Sequence, residues 1–129
     1  MSAVKKINTE NAPAAIGPYS QAVVAGNMIY LSGQIGLEPK SGKLADGGIA
    51  DETKQAMENI KAVLLAAGGD IVNIVSVTVY LTDMNEFAAM NEVYAKYFKE
   101  PYPARATVAV SNLPKNAKVE ISAIAVKQP

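Results

Sequence analysis

Two segments of the chain have the spacing of an amphipathic helix, and five or six others have the character of β-strands. The helices are predicted at 52–67 and 84–98. The strands are predicted at 4–8 (a short stretch), 20–25, 28–35, 74–81, 105–111 and 118–127. Two helices cannot cover both faces of a sheet this wide, so we expect both on one face. The sequence predicts an α+β fold in which residues 1–129 form a single domain.

The ends of both helices are marked by residue types that favour helix termini. Asp51 is positioned as the N-cap of the first helix, and Gly68 with Gly69 is positioned to stop it. Asp83, followed three residues later by Glu86, resembles a capping box at the start of the second helix. These signals separate the two helices by one clear strand at 74–81.

The sheet face away from the helices is expected to carry small, β-branched and hydroxyl side chains. Its predicted members are Ser76, Thr78, Thr107 and Ser122. Such a face is too apolar for full exposure to water, and no third helix is available to cover it. A second copy of the chain is the simplest cover, so the sequence predicts a homo-oligomer.

The composition excludes several classes of chemistry. The chain has no His, Cys or Trp. This rules out imidazole bases, thiolate nucleophiles and metal sites built on His or Cys, so acid–base work must fall to Glu, Asp, Lys, Tyr or water. A formal net charge of zero argues against binding nucleic acid by phosphate neutralisation. The apolar runs are too short to span a membrane and no apolar leader begins the chain, so a cytosolic protein is expected.

Arg105 is the single arginine in a chain whose other basic residues are lysines. Its planar guanidinium can bind a carboxylate or a phosphate through two parallel hydrogen bonds, which lysine cannot do. The alternative is a structural salt bridge at the beginning of a strand. Both interpretations stay open at this point.

Glu120 is an acidic residue inside an otherwise apolar strand, so it is either solvated at an edge or held in a cleft. If strands 105–111 and 118–127 pair antiparallel with Thr107 opposite Glu120, then Arg105 stands opposite Ser122. Glu120 and Arg105 would then be diagonal neighbours roughly 7–8 Å apart on one face. That spacing suits a small anion and a water molecule, and it depends on the assumed register.

Three further residues are candidates for a binding site. Asn91 lies on the apolar stripe of the second helix and needs hydrogen bonds, for which a neighbouring backbone group is the simplest partner. Tyr19 is a loop residue that either packs or lines a rim. Gly33 interrupts an apolar strand, which marks either a β-bulge or the close approach of a ligand. No carboxylate cluster has the spacing of a metal site, and no loop has the pattern of a phosphate or dinucleotide site.

Four segments together resemble the RidA/YjgF family of imine and enamine deaminases, and the resemblance covers essentially the whole chain. The segments are Ala-Ile-Gly-Pro-Tyr-Ser-Gln-Ala (15–22), Gly-Asn-Met-Ile-Tyr-Leu-Ser-Gly-Gln-Ile (26–35), Pro-Ala-Arg-Ala-Thr-Val (103–108) and Leu-Pro-Lys-Asn-Ala-Lys-Val-Glu-Ile (113–121). The resemblance implies a chorismate-mutase-like fold with a mixed sheet and a homotrimer with three clefts between subunits. It also implies hydrolysis of 2-imino acids, which arise from enamines released by pyridoxal-phosphate-dependent dehydratases, to 2-oxo acids and ammonia.

The resemblance also implies roles for individual residues and requires no cofactor or metal. Arg105 would bind the substrate carboxylate, and Glu120 would position and activate the attacking water. The pocket would be lined by Thr107, Tyr19, Gly33 and Asn91. Many family members have Cys at the position of Thr107; a hydroxyl can keep a water-binding role, but thiol chemistry is excluded.

Three other functions remain as alternatives. A non-catalytic protein that binds small carboxylates would need Arg105 but not Glu120. A ribonuclease or translation-inhibitor activity is sometimes attributed to the family, although the neutral charge and the lack of histidine count against it. A chaperone-like role is not readable from sequence.

Overall fold

The computed structural model describes residues 4–127, which form one six-stranded sheet with two α-helices. The strands are β1 (Lys5–Ile7), β2 (Ala22–Ala25), β3 (Met28–Ile35), β4 (Ile74–Leu81), β5 (Ala104–Ala109) and β6 (Val119–Val126). The helices are α1 (Ile49–Ala66) and α2 (Phe87–Tyr94). The strand order is β1-β2-β3-β6-β4-β5, in which β4 and β5 are parallel and all other neighbours are antiparallel. The predicted α+β class and mixed sheet are confirmed.

The predicted pairing of the last two strands is wrong. β5 does not pair with β6, because β4 lies between them and hydrogen-bonds to both. β5 follows α2 in a β–α–β crossover, which returns the chain parallel to β4 and at its outer side. The connection after β5 then carries the chain across β4 to the opposite side, where β6 fills the space beside β3.

Both helices differ in detail from their predicted bounds. α1 begins at Ile49 with Gly48 as its N-cap, so Asp51 lies in the first turn and does not cap the helix. Gly68 follows the helix with a φ of 89°, a left-handed conformation that glycine adopts without steric cost. α2 is short and is flanked by two 3₁₀ turns, Met84–Glu86 and Ala95–Tyr97. The Asp83 side chain accepts a hydrogen bond from the Asn85 backbone and therefore caps the first of these turns.

The helices cover one face of the sheet and leave the other only partly buried. α1 packs against β3 and β6, and α2 packs against α1. Along β4, Val77 and Val79 lie beneath the helices and are buried, whereas Ser76 and Thr78 point to the other face. We call this second surface the open face; Val108, which also lies on it, is 41% exposed. An apolar side chain exposed to this extent fits the expected cover by a second copy, which stays a prediction.

Candidate functional site

Arg105 projects from β5 toward the helices. It stands beside Val77 in the parallel β4–β5 ladder, and Val77 faces the helix side. The Arg105 Nη1 donates a 2.6 Å hydrogen bond to Asn91 Oδ1 on α2. The Arg105 Cζ lies 4.8 Å from the centre of the Tyr94 ring and 5.5 Å from that of Phe87. The guanidinium is thus held by one amide oxygen and two aromatic rings, all from α2.

This arrangement decides two interpretations that the sequence left open. Asn91 does not satisfy its amide with a neighbouring backbone group; its oxygen binds the Arg105 side chain. The side-chain oxygen that accepts from Arg105 belongs to a neutral amide and not to a carboxylate, so this contact does not neutralise the charge of the guanidinium. Arg105 keeps its capacity to bind an anion.

A cavity of about 430 Å³ adjoins the Arg105 side chain. Asn91 and Tyr94 form its α2 side, and Tyr102 with Pro103 forms the side that leads into β5. Thr107 follows on the same side of β5 as Arg105, because it pairs with the buried Val79. The expectation that Thr107 lies on the open face with Ser76, Thr78 and Ser122 is therefore wrong.

The Thr107 hydroxyl is a buried polar atom without a partner. Its Oγ1 is inaccessible and makes no hydrogen bond within residues 4–127. An unpaired buried hydroxyl costs stability, so it is a candidate for binding a water molecule. Arg105, Asn91 and Thr107 with the adjoining cavity form what we call the Arg105 half-site.

Glu120 lies on the opposite face of the sheet. It pairs with Tyr80 on one neighbouring strand and with Ile35 on the other. The next residue, Ile121, is buried on the helix side, so the Glu120 side chain points to the open face. The side chain is half-buried, and desolvation raises the pKa of its carboxyl above the ordinary value. It borders a cavity of about 320 Å³ that is lined mainly by apolar side chains and backbone.

Gly33 explains how the Glu120 carboxylate can lie so close to the neighbouring strand. The β3–β6 register shifts between Leu31 and Gln34, so Gly33 sits at an irregularity in the ladder. A Cβ at this position would stand 2.9 Å from Glu120 Cδ and would overlap Glu120 Oε2. The bulge and the close approach thus occur together, and the group that approaches is the Glu120 carboxylate.

Tyr19 lines the same cavity from the loop before β2 and is 55% exposed. The loop is held by the buried Gln21 side chain, which accepts a hydrogen bond from Thr9 N and donates to the carbonyls of Thr9 and Pro13. Tyr19, Gly33 and Glu120 with this cavity form what we call the Glu120 half-site.

The six predicted site residues therefore divide into two groups of three within one chain. Arg105 and Glu120 are not diagonal neighbours, because the assumed strand pairing does not exist and the two side chains leave the sheet on opposite faces. One half-site offers a cation for a planar anion, and the other offers a carboxyl whose raised pKa suits proton transfer. No group of three or more carboxylates in the described part of the chain could hold a metal ion.

Three neighbouring residues were not identified as site residues from the sequence. Tyr94 and Phe87 belong to the same α2 stripe as Asn91, at a spacing that brings them to one face. This spacing would have indicated the contact of both rings with Arg105 only if the place of β5 in the sheet had been known. Lys115 borders the Glu120 cavity with a left-handed φ of 57°, which its residue type does not signal.

Comparisons with known proteins agree with this fold and cover nearly the full chain. A family model described as Endoribonuclease L-PSP matches residues 9–127. A Bos taurus protein named 2-iminobutanoate/2-iminopropanoate deaminase is 54% identical over 125 residues, a match covering 97% of this chain and 91% of the bovine protein.

Two solved structures are similar along nearly their whole lengths. A Thermotoga maritima protein described as a putative endoribonuclease has a TM-score of 0.94 and 50% identity, with 97% of this chain and 98% of that chain covered. Escherichia coli TdcF with bound serine has a TM-score of 0.91 and 45% identity, with 96% and 99% covered. No helix in residues 4–127 is long and apolar enough to cross a membrane.

Proposed function

Since the chain belongs to the RidA/YjgF family, the one that the endoribonuclease L-PSP model describes, we propose that it hydrolyses 2-imino acids to 2-oxo acids and ammonia. The substrates are 2-iminobutanoate and 2-iminopropanoate, the compounds in the name of the bovine relative. Pyridoxal-phosphate-dependent dehydratases are the source of these imines, and the cytosol is the proposed compartment. The reaction needs no cofactor, because the imine carbon is already electrophilic.

Arg105 and Glu120 divide the chemistry. The guanidinium binds the substrate carboxylate through N–H groups other than the one donated to Asn91. The Glu120 carboxylate takes a proton from water as the oxygen bonds to the imine carbon, the C=N electron pair moves to nitrogen, and the Glu120 carboxyl gives that proton to the nitrogen. The carbinolamine then collapses: Glu120 passes the hydroxyl proton to the amino nitrogen, the C–N bond breaks, ammonia leaves, and the 2-oxo group and the free carboxylate are restored. Burial of Glu120 supports this role, since a raised carboxyl pKa makes it a better base near neutral pH.

The complete site is proposed to form between subunits of a homotrimer, each subunit being one domain of residues 1–129. The observation that carries this proposal is the placement of Arg105 and Glu120 on opposite faces of one sheet. A carboxylate bound by Arg105 cannot also meet Glu120 of the same chain, but it can meet Glu120 of a neighbouring copy. The partly exposed open face, with Val108 on it, supports such an assembly.

A mixing experiment tests the shared site. Arg105→Gln and Glu120→Gln are each expected to be inactive as pure proteins. When the two are unfolded together and reassembled in equal amounts, random trimers contain intact sites that combine Arg105 of one subunit with Glu120 of another. About one quarter of the wild-type activity is expected to return if three equivalent interfaces exist. Recovery of none, with mixed trimers demonstrated by mass, would refute a site between subunits.

The reaction itself is tested in a coupled assay. A threonine dehydratase generates the imine, and its decay is followed with and without the protein. The wild-type protein is expected to accelerate decay over buffer, and Arg105→Lys is expected to lose most of that acceleration because the planar two-bond contact is gone. An unchanged decay rate with the wild-type protein would refute the proposal.

Two other functions have specific support and separate tests. A binding protein for small carboxylates would use the Arg105 half-site alone, so Glu120→Ala would keep full affinity and neither form would turn over imine. The descriptions of the family model and of the Thermotoga structure name an endoribonuclease. RNA cleavage that co-purifies with the protein and disappears in Glu120→Gln or Arg105→Gln would support that activity.

A further inference from the structure

The Arg105 side chain lies against the ring of Tyr94. Tyr94 is 6% exposed, whereas Arg105 is an exposed side chain on an edge strand. The guanidinium carbon lies 4.8 Å from the Tyr94 ring centre, within the range of an attractive cation–π contact. A flexible charged side chain on a sheet edge is thus in contact with a rigid, buried surface.

Tyr94 is itself fixed by a second aromatic ring. Its centroid lies 4.6 Å from that of Phe98, with an angle of 34° between the ring planes, and Phe98 packs against the hydrophobic core. A chain of contacts therefore runs from the core through Phe98 and Tyr94 to the guanidinium. Phe87 adds a second ring 5.5 Å from the Arg105 Cζ.

The orientation of the guanidinium is set by two different contacts. The hydrogen bond from Nη1 to Asn91 Oδ1 directs one edge of the guanidinium toward α2. A guanidinium has five N–H donors, so other N–H groups of Arg105 remain for a ligand beside this hydrogen bond. The rings restrict the rotation that the hydrogen bond alone would leave free.

We propose that Tyr94 is a positioning residue, which holds the guanidinium of Arg105 ready for two parallel hydrogen bonds to a planar carboxylate. The inference rests on the proposed function and deepens it, because it concerns how the same site recognises its substrate class. Because the Arg105 side chain is already ordered in the free protein, binding a carboxylate loses less conformational entropy, and the affinity for the carboxylate is higher. We assign the effect to the ring face. Burial raises the pKa of the Tyr94 hydroxyl and the nearby Arg105 charge opposes that rise, so the hydroxyl also lies near the guanidinium, and Tyr94→Phe tests its share.

The experiment compares Tyr94→Leu with Tyr94→Phe. Affinity for 2-oxobutanoate, the oxo-acid product, is measured by calorimetry, and KM and kcat are measured with the imine. Tyr94→Leu is expected to weaken 2-oxobutanoate binding and raise KM about tenfold each, with a smaller change in kcat. Tyr94→Phe keeps the ring and is expected to stay within about twofold of wild type in both.

A control and a coupling measurement separate positioning from loss of packing. Tyr97→Leu removes a nearby ring that instead hydrogen-bonds Glu58, and it is expected to keep wild-type affinity. In an Arg105→Lys background, Tyr94→Leu is expected to add little further loss, because the group it positions is absent. If Tyr94→Leu fails to fold, Phe87→Leu takes its place, with a smaller loss of affinity expected.

Several outcomes overturn the inference. They are unchanged 2-oxobutanoate affinity in a folded Tyr94→Leu or Phe87→Leu, equal losses in Tyr94→Phe and Tyr94→Leu, full additivity with Arg105→Lys, or no binding of 2-oxobutanoate by wild type. A wild-type protein that binds 2-oxobutanoate through this device but hydrolyses no imine would refute the proposed reaction and leave the positioning role intact.

Discussion

Replacing Gly33 with alanine is expected to damage the site while leaving the fold intact. The added Cβ would stand 2.9 Å from Glu120 Cδ and 3.0 Å from Glu120 Cγ, and it would overlap Oε2. Ordinary contact needs more space, so the carboxylate must move by about 1 Å. A displacement of this size in a reacting group can cost about 100-fold in rate. We expect kcat/KM to fall by that factor, equivalent to about 2.7 kcal/mol.

The expected effect of Gly33→Ala on stability is small. Gly33 does not have a left-handed φ, so alanine introduces no backbone strain. The obstructing atoms are the end of a flexible side chain, and moving them off their preferred rotamer costs about 0.5–1.5 kcal/mol. Alanine also leaves the unfolded chain fewer conformations than glycine does, which stabilises the folded state by about 0.4–1 kcal/mol. The two contributions nearly cancel, so the free energy of unfolding should change by less than about 1 kcal/mol.

The coupled imine assay and thermal unfolding together test this reasoning. Gly69→Ala is the matched control, because its Cβ would also be crowded, by Ile29 Cδ1 at 3.1 Å and Asn73 Oδ1 at 3.3 Å, with Leu64 O at 3.8 Å, but away from both half-sites. We expect it to retain activity. Wild-type kcat/KM in Gly33→Ala would refute the argument, as would a further 100-fold loss when Gly33→Ala is added to Glu120→Gln.

Three further predictions concern the two half-sites and the open face. Glu120→Gln should lower kcat about 100-fold or more. In the wild type, kcat reports the complex in which the substrate carboxylate occupies Arg105, and it should rise with pH to a midpoint above the ordinary carboxyl pKa of 4.5. The pKa of the Glu120 carboxyl is higher in the folded than in the unfolded state. Its contribution to the free energy of unfolding therefore decreases as pH rises from the unfolded-state pKa to the folded-state pKa. Unfolding of Glu120→Gln, measured across this pH range, should lack that decrease. Thr107→Val should raise the free energy of unfolding by about 1 kcal/mol, since a buried hydroxyl without a partner is removed, and lower kcat/KM about tenfold; unchanged activity would exclude a role for the hydroxyl. Val108→Asp should shift the mass measured by light scattering from trimer to monomer, because a charge would be buried at the proposed interface.

Secondary structure was accessible from the sequence because its signals are local. The strands at 28–35 and 74–81 have the bounds that alternation and turn residues predict. The second helix is divided into a 3₁₀ turn, a short α-helix and another 3₁₀ turn, a difference of hydrogen-bond pattern that apolar spacing does not report. The identities of the site residues came from the same local signals and from family resemblance.

Strand pairing was not accessible, because it depends on which segments meet across the sheet. Two neighbouring strands joined by a short loop favour a hairpin, and this led to the antiparallel pairing of β5 with β6. The structure places β4 between them. After α2 the chain returns to one edge of β4 as β5, and the other edge of β4 pairs with β6. The face assigned to Thr107 changed with the pairing, because one step in register moves a side chain to the other side.

The corrected topology gives a physical reason for keeping Arg105 and Glu120 apart within one chain. If they were neighbours on one face, they would form an ion pair that occupies the guanidinium and lowers the pKa of the carboxyl. On opposite faces, Arg105 rests on a neutral amide and aromatic rings, while Glu120 keeps a pKa raised by burial. Each subunit then carries both groups in the state that the proposed reaction needs. Joining two copies brings them together with the substrate carboxylate on Arg105, so activity is expected to require assembly even though each half-site is complete in the monomer.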